Sequence, residues 1–133
     1  MAAKICITFG VLIYALVVPL LEVNASHVFN ESWPAHARFH EVWQLVTNVS
    51  IGMVVLWLCW FKKEIRLASI LNIAVMGGIL VAHILEGSYG GSIISGNLSK
   101  TLLGLELAAF AALLAIVLAV IALILDKYLN RAV

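Results

Sequence analysis

Histidine, the side chain whose charge changes near neutral pH, occurs four times in this chain of 133 residues. His36 and His40 stand four residues apart, a spacing that places two side chains on one face of a helix. His83 precedes Glu86 by three residues, so this pair can also meet a common partner. Imidazole and carboxylate groups at such spacings support two kinds of chemistry, proton transfer and metal binding.

These ionisable groups stand in an unusually apolar chain. Hydrophobic residues make up 64% of it and charged residues 11%, against about 45–50% and about 25% in soluble domains. A soluble domain of this length could not keep so much apolar surface away from water. The composition therefore predicts an integral membrane protein, with the lipid bilayer and a lipophilic small molecule as partners. The net charge of +1 argues against nucleic acid as a ligand.

Four apolar segments of 17 to 24 residues divide the chain. A helix rises about 1.5 Å per residue, so each segment is about long enough to cross a bilayer core of roughly 30 Å. Pro34 suits the first turn of a helix, which extends the second segment toward the N-terminus. We expect an all-α fold, a single transmembrane domain over residues 1–133 that forms a four-helix bundle, with helices at about 5–21, 34–61, 67–86 and 101–126.

The basic residues predict the orientation of this bundle. Six of the eight lysines and arginines fall at the two termini and in the loop between the second and third helices. The other two, Arg38 and Lys100, fall on the opposite side. Because basic residues concentrate on the cytoplasmic side of membrane proteins, both termini are expected to face the cytoplasm.

This orientation gathers polar residues of three helices near the non-cytoplasmic face. Glu41, Gln44 and Asn48 form a stripe beside the two histidines of the second helix, and Glu106 is expected one turn inside the fourth. Ionisable groups at membrane depth are costly and normally turn toward a cavity or a partner. We therefore expect one cavity near this face, lined by His36, His40, Glu41, His83, Glu86 and Glu106.

The first functional hypothesis is a membrane-embedded acid–base enzyme. It would isomerise or cyclise a lipophilic substrate, similar to a terpenoid or a sterol, by proton transfer and without a cofactor. A carboxyl group among apolar side chains can stay protonated and act as an acid, while histidine serves as the base. The expected catalytic residues are Glu106, Glu86, His83, His40 and His36, and the expected substrate-binding residues are Trp33, Arg38, Glu41, Trp43, Gln44 and Asn48.

Two other hypotheses remain open. His36 and His40, completed by His83 and a glutamate, would suit a divalent metal such as zinc, iron or copper. Alternatively, the chain is no enzyme but a small-lipid binding or transport protein, a homo-oligomer or a subunit of a membrane complex. Gln44 and Asn48 would then hydrogen-bond between helices. A structural pair of His83 with Glu106 would tie the third helix to the fourth.

Some residues carry plainer predictions. Glu22, His27 and Glu31 belong to a loop and are expected to be solvated. The Gly77-Gly78 pair and Gly104 are expected to permit close contact between helices.

Residues 33–40 read Trp-Pro-Ala-His-Ala-Arg-Phe-His. With the residues that precede them from His27, they resemble a signature of small four-helix membrane proteins that are loosely DoxX-like, with a Trp-Pro-x-His-Ala-(Lys/Arg)-Phe-His core after the first helix. The similarity covers about fourteen residues and the four-helix layout. It implies that His36, Arg38 and His40 bind a ligand or take part in chemistry.

A looser similarity is to the emopamil-binding sterol isomerases and to integral-membrane terpene cyclases. Those families place a few histidines and acids in an apolar bundle and move protons on a hydrocarbon. This chain departs from the isomerase pattern, because the residue four positions after His36 is His40 rather than a carboxylate.

Overall fold

The computed structural model describes residues 1–94 and 101–129, and four long helices account for most of them. Each helix is long and apolar enough to cross a membrane, which confirms the four predicted helices in a mostly helical chain. Lys100 and Arg131, which enter the count of basic residues, lie outside the described ranges. The helices are α1 (Ala2–Glu22), α2 (Ala35–Lys62), α3 (Ile65–Tyr89) and α4 (Leu107–Leu129).

The first three helices begin and end close to the predicted positions. Pro34 lies just before α2 in an extended conformation, so it caps the helix instead of forming part of its first turn as predicted. In α1 a wide π-helical turn spans residues 13–17, just before Pro19. A proline ring would meet the carbonyl of Ala15 in a regular helix, and the wide turn relieves this clash. Gly90 caps the C-terminal end of α3 in a left-handed conformation, with a φ of 71°.

The fourth helix begins later than predicted. Residues 101–106 form a short antiparallel hairpin, β1 (Thr101–Leu102) and β2 (Leu105–Glu106), instead of its first turns. Leu103 and Gly104 between the strands have φ of 53° and 80°. Two consecutive left-handed residues make a tight hairpin turn and cannot continue a helix. Glu106 therefore lies in a strand and not inside α4, and the function of Gly104 is this turn.

The fourth helix packs along both α1 and α3 through a stripe of small side chains. The buried alanines of this stripe recur every three or four residues. Small side chains let the helix backbones approach one another closely, so the helices pack without large interdigitating side chains. The stripe consists of Ala109, Ala112, Ala115, Ala119 and Ala122.

Close helix contacts depend on glycines other than the predicted ones. A Cβ atom on Gly52 of α2 would stand 2.6 Å from the Cβ of Ala15 in α1. A Cβ on Gly10 would stand 2.9 Å from the amide nitrogen of Asn72 in α3. Gly77 and Gly78, by contrast, have nothing within 4 Å of such an atom. The prediction for the Gly77-Gly78 pair was wrong, because helix crossings depend on the three-dimensional arrangement and not on local sequence.

A hydrogen-bonded polar group lies in the middle of the bundle. The hydroxyl of Tyr14 in α1 donates to Asn72 Oδ1 at 2.9 Å. Asn72 Nδ2 in turn donates to the carbonyl of Ile7 at 3.2 Å. Tyr14 and Asn72 are almost entirely buried. This network ties α1 to α3, with the side-chain donor and acceptor of the amide both engaged.

The two ends of the bundle differ in chemistry. We call the histidine end the one where residues 23–34 join α1 to α2 and where α3 ends. The basic end is the other, where the short link of Lys63 and Glu64 joins α2 to α3. This link of two residues joins α2 directly to α3 at the basic end.

Candidate functional site

A cleft between α2 and α3 opens toward the histidine end and has a volume of about 400 Å³. Its walls are apolar along Val75, Ile79 and Ala82 of α3 and at Ile93 beyond the helix. Its volume is within the range of small-molecule sites, and its lining is about equally polar and apolar. The polar lining residues are Gln44, Asn48, His83, Glu86, Tyr89 and Ser92.

The ionisable pair of the cleft is His83 with Glu86. His83 Nδ1 lies 3.0 Å from Glu86 Oε2, and both side chains are about one-third exposed. The backbone N–H of Ile93 donates to the same oxygen at 3.0 Å. Since this oxygen already accepts from Ile93, an ionised Glu86 that also accepts from Nδ1–H satisfies the geometry best. The carboxylate then fixes the imidazole tautomer and leaves Nε2 with a free lone pair.

The amides of Gln44 and Asn48 face this pair from α2. They lie one helical turn apart and line the same cleft. In the described residues neither side chain makes a hydrogen bond to another helix, in contrast to the hypothesis that they link helices. Their donors and acceptors are therefore available to a ligand.

His36 and His40 form a separate pair at the start of α2. Their Nε2 atoms lie 3.0 Å apart, and both side chains are exposed. Trp43 stacks on His40 with ring centroids 5.6 Å apart. Neither histidine lines the cleft. The predicted single cavity is thus divided, since His36 and His40 precede Gln44 by one to two turns along α2 and lie outside the cleft.

Three further ionisable groups meet where α1 ends. His27 Nε2 lies 2.8 Å from Glu22 Oε2, with side chains only 11% and 17% exposed. Glu41 of α2 lies close enough for its charge to act on both. The prediction that Glu22 and His27 are solvated was therefore wrong, whereas Glu31 is exposed as expected.

A local turn explains this missed cluster. Asn24 Oδ1 accepts from the backbone N–H of Ser26 at 2.7 Å, an Asx-type turn that reverses the chain. The reversal brings His27 back to the end of α1, and Ser26 Oγ lies 2.7 Å from His27 Nδ1. The edge of the His27 ring also meets Trp33, with centroids 5.5 Å apart. The Asn-x-Ser pattern was the one signal in the sequence that could have revealed this turn.

Two predicted site residues remain apart from these groups. Glu106 is partly exposed in β2, and its carboxylate makes no ion pair within the described residues. The partner of His83 is Glu86, so the alternative pairing of His83 with Glu106 is not the observed one. Arg38 is partly exposed and has no ion-pair partner among the described residues.

The predicted metal ligands are not assembled as a group. Within residues 1–94 and 101–129, no three histidine, cysteine, aspartate or glutamate side chains are placed to hold one metal ion together. His83 belongs to the cleft, while His36 and His40 belong to the exposed pair. The set of three histidines considered as metal ligands is therefore divided between two places.

No family model, no curated protein and no solved structure matches this chain. The similarity of residues 33–40 to the DoxX-like motif therefore stays a prediction. The cleft and its side chains are the basis on which a function can be proposed.

Proposed function

We propose that the four helices span a membrane with both termini in the cytoplasm and the histidine end on the opposite side. The basic end carries lysines beside aromatic rings, a combination typical of the cytoplasmic interface. Lys62 Nζ lies 4.9 Å from the ring centroid of Trp57, and Lys4 Nζ lies 5.2 Å from that of Trp60. These pairs combine interfacial anchoring with cation–π attraction.

Single cysteines test this orientation. In a Cys6→Ala, Cys59→Ala background, Glu31→Cys and Glu64→Cys would each be treated with a membrane-impermeant maleimide on intact cells. Glu31→Cys is expected to react from outside, and Glu64→Cys only after the cells are opened. Equal reaction of both from one side would refute the orientation.

We propose further that the cleft binds a lipophilic molecule with one polar group and isomerises it by proton transfer. The observation that carries this proposal is the His83–Glu86 pair in a cleft that has an apolar stretch along α3 beside its polar groups. A carboxylate that orients imidazole is a common arrangement of a general base, because it fixes the tautomer and favours the protonated ring. The reactive atom is His83 Nε2.

The amides of the opposite wall suit the polar group of the substrate. Gln44 and Asn48 offer donors and acceptors that no other side chain of the described residues uses, so they can anchor a hydroxyl or a carbonyl group. The hydrocarbon part then contacts Val75, Ile79 and Ala82. His83 removes a proton from one carbon and returns it to another along an allylic or enolisable system. In this mechanism Glu86 positions the base, and neither Glu106 nor Glu86 supplies the proton.

Solvent deuterium tests this mechanism even while the substrate is unidentified. The protein in nanodiscs would be incubated with a membrane-lipid extract in D₂O, and the lipids analysed by mass spectrometry. Exchange of the imidazole proton with solvent predicts one carbon-bound deuterium in a lipid of the extract. His83→Ala should lower this rate by about 10²–10⁴-fold, the usual contribution of a general base. Enzyme-dependent labelling that persists in His83→Ala would refute the assignment.

A second candidate function is binding or transport of the same molecule without reaction. It is favoured by the free amides of Gln44 and Asn48, which need no chemistry at His83 to hold a polar group. The two functions differ in the deuterium experiment. Co-purified lipid without any deuterium incorporation would favour transport over isomerisation.

A matched pair of glycines tests the cleft itself. Gly78 lines the cleft and Gly77 does not, yet a Cβ on either would meet nothing within 4 Å. Gly78→Leu should fill the cleft and lower the amount of co-purified lipid at least tenfold, whereas Gly77→Leu should leave it unchanged. Equal retention of lipid by both variants would show that the ligand binds elsewhere.

A further inference from the structure

The exposed histidine pair at the start of α2 has no part in the proposed chemistry of the cleft. His36 Nε2 and His40 Nε2 converge to 3.0 Å at the histidine end. Two neutral imidazoles at this distance can share one proton in a hydrogen bond. When neither nitrogen carries the proton, the same two nitrogens each offer a lone pair and can act as a pair of metal ligands.

The distance between the two nitrogens indicates which metal-coordination geometry they fit. With metal–nitrogen bonds of about 2.0–2.1 Å, two atoms 3.0 Å apart subtend an angle of about 94° at the metal. This angle is close to the 90° between neighbouring ligands in a tetragonal complex, which Cu²⁺ and Ni²⁺ favour.

We propose that His36 and His40 form a two-nitrogen surface site for a divalent transition-metal ion, with Cu²⁺ bound ahead of Ni²⁺ and Zn²⁺. Copper stands highest in the general affinity order of such ligands. Water completes the coordination, because both histidines are exposed and no third protein ligand of the described residues stands beside them. This site is separate from the cleft, because His83 lines the cleft and neither His36 nor His40 does.

The aromatic neighbour of the pair provides a direct readout. Trp43 stacks on His40, with ring centroids 5.6 Å apart and planes inclined by 28°. Bound Cu²⁺ at that imidazole should quench the fluorescence of Trp43. In Trp43→Phe the quenching should be lost while the metal still binds, because tryptophan is the reporter and not a ligand.

Two substitutions that remove the same number of histidines provide the decisive comparison. His40→Gln breaks the pair, and His27→Gln leaves it intact, so each variant retains three histidines. Titration with Cu²⁺ alone should show a loss of affinity of about tenfold or more in His40→Gln, as expected for loss of a metal contact. His27→Gln should bind as the parent does. His36→Gln gives an independent repeat of the first variant.

Paramagnetic resonance of the Cu²⁺ complex examines the ligands directly. The parent and His27→Gln should show hyperfine structure from two equatorial imidazole nitrogens, and His40→Gln should show one or none. An affinity that falls equally in His27→Gln and His40→Gln would overturn the proposal. So would a spectrum of the parent that lacks two nitrogen ligands, because the metal would then be bound at scattered surface groups.

Discussion

One side of α3 carries two polar regions that differ in how their hydrogen bonds are completed. In the middle of the bundle, Asn72 is buried and bonded to both Tyr14 and the carbonyl of Ile7. About three to four turns further along, His83 and Glu86 are partly exposed and line a cleft. A polar group with complete hydrogen bonds stabilises the packing of helices. One with a free donor or acceptor beside a cavity is available to a ligand.

The packing around the two regions differs in the same way. Beside the buried network, α1 contacts its neighbours so closely that glycine is required at two positions, Gly10 and Gly52. Beside the cleft, Gly78 has open space where a side chain would be. Stability should therefore depend on the first region and ligand binding on the second. Pairs of identical substitutions, one in each region, test this division.

The largest difference is expected for glycine to valine. Gly52→Val would place its Cβ 2.6 Å from the Cβ of Ala15 and 3.1 Å from Val11 Cγ1, so α1 and α2 must separate. Overpacking of this kind should lower the free energy of unfolding by about 3 kcal/mol. Gly78→Val should change it by less than about 0.5 kcal/mol, as at other open positions. Unfolding in mixed micelles of dodecyl maltoside and SDS provides the measurement, and equal losses would contradict the division.

The contrast between these regions was only partly predictable from sequence. Segment length and hydropathy predicted the four helices, since the bilayer fixes the length of an apolar helix. The spacing along α3 predicted that Asn72, His83 and Glu86 share one side. The polar stripe of α2 likewise indicated Gln44 and Asn48, which now line the cleft with His83.

What escaped prediction depends on turns and on helix crossings. The left-handed pair Leu103 and Gly104 forms a hairpin and moves Glu106 out of α4. The turn at Asn24 folds His27 back onto Glu22. Mean hydropathy over a window of residues does not detect such turns, because each turn is formed by one or two residues. The crossing of α1 and α2 at Gly52 joins residues distant in sequence, which no local pattern encodes.

A medium effect is expected for asparagine to leucine. Asn72→Leu removes the acceptor of the buried Tyr14 hydroxyl, which is left without a partner. It also removes the Asn72 donor to the carbonyl of Ile7, which keeps its bond within α1. Unsatisfied buried groups cost about 1–3 kcal/mol, so we expect a loss of about 2 kcal/mol. Asn48→Leu, which breaks no hydrogen bond in the described residues, should cost less than about 0.5 kcal/mol.

For the amount of co-purified lipid, the expected order of the two asparagine variants is the reverse of that for stability. Asn48→Leu should reduce the amount of lipid that co-purifies with the protein, because an amide of the cleft wall is lost. Asn72→Leu, examined well below its unfolding temperature, should retain it. If Asn72→Leu loses more lipid than Asn48→Leu, the buried network contributes to binding and the two regions are not separate.

The smallest effect is expected for serine to alanine, and here the substitution in the buried region should raise the free energy of unfolding. Ser69 lies three residues before Asn72 on α3 and is fully buried. Its hydroxyl has no hydrogen-bond partner among the described residues. Burial of a polar group without a partner costs free energy, whereas alanine fills nearly the same space without that cost. Ser69→Ala should therefore raise the free energy of unfolding by about 0.5–1 kcal/mol.

Ser92, in the lining of the cleft, gives the matched control for Ser69. Its Oγ is exposed and accepts from the backbone N–H of Ile94 at 3.1 Å. Ser92→Ala should change stability by less than about 0.5 kcal/mol, because water can replace an exposed partner. A loss of stability in Ser69→Ala would mean that its hydroxyl does have a hydrogen-bond partner in the folded protein. The buried region would then contain a second polar link beside that of Asn72, and the helix contact there would depend on more than one hydrogen-bonded side chain.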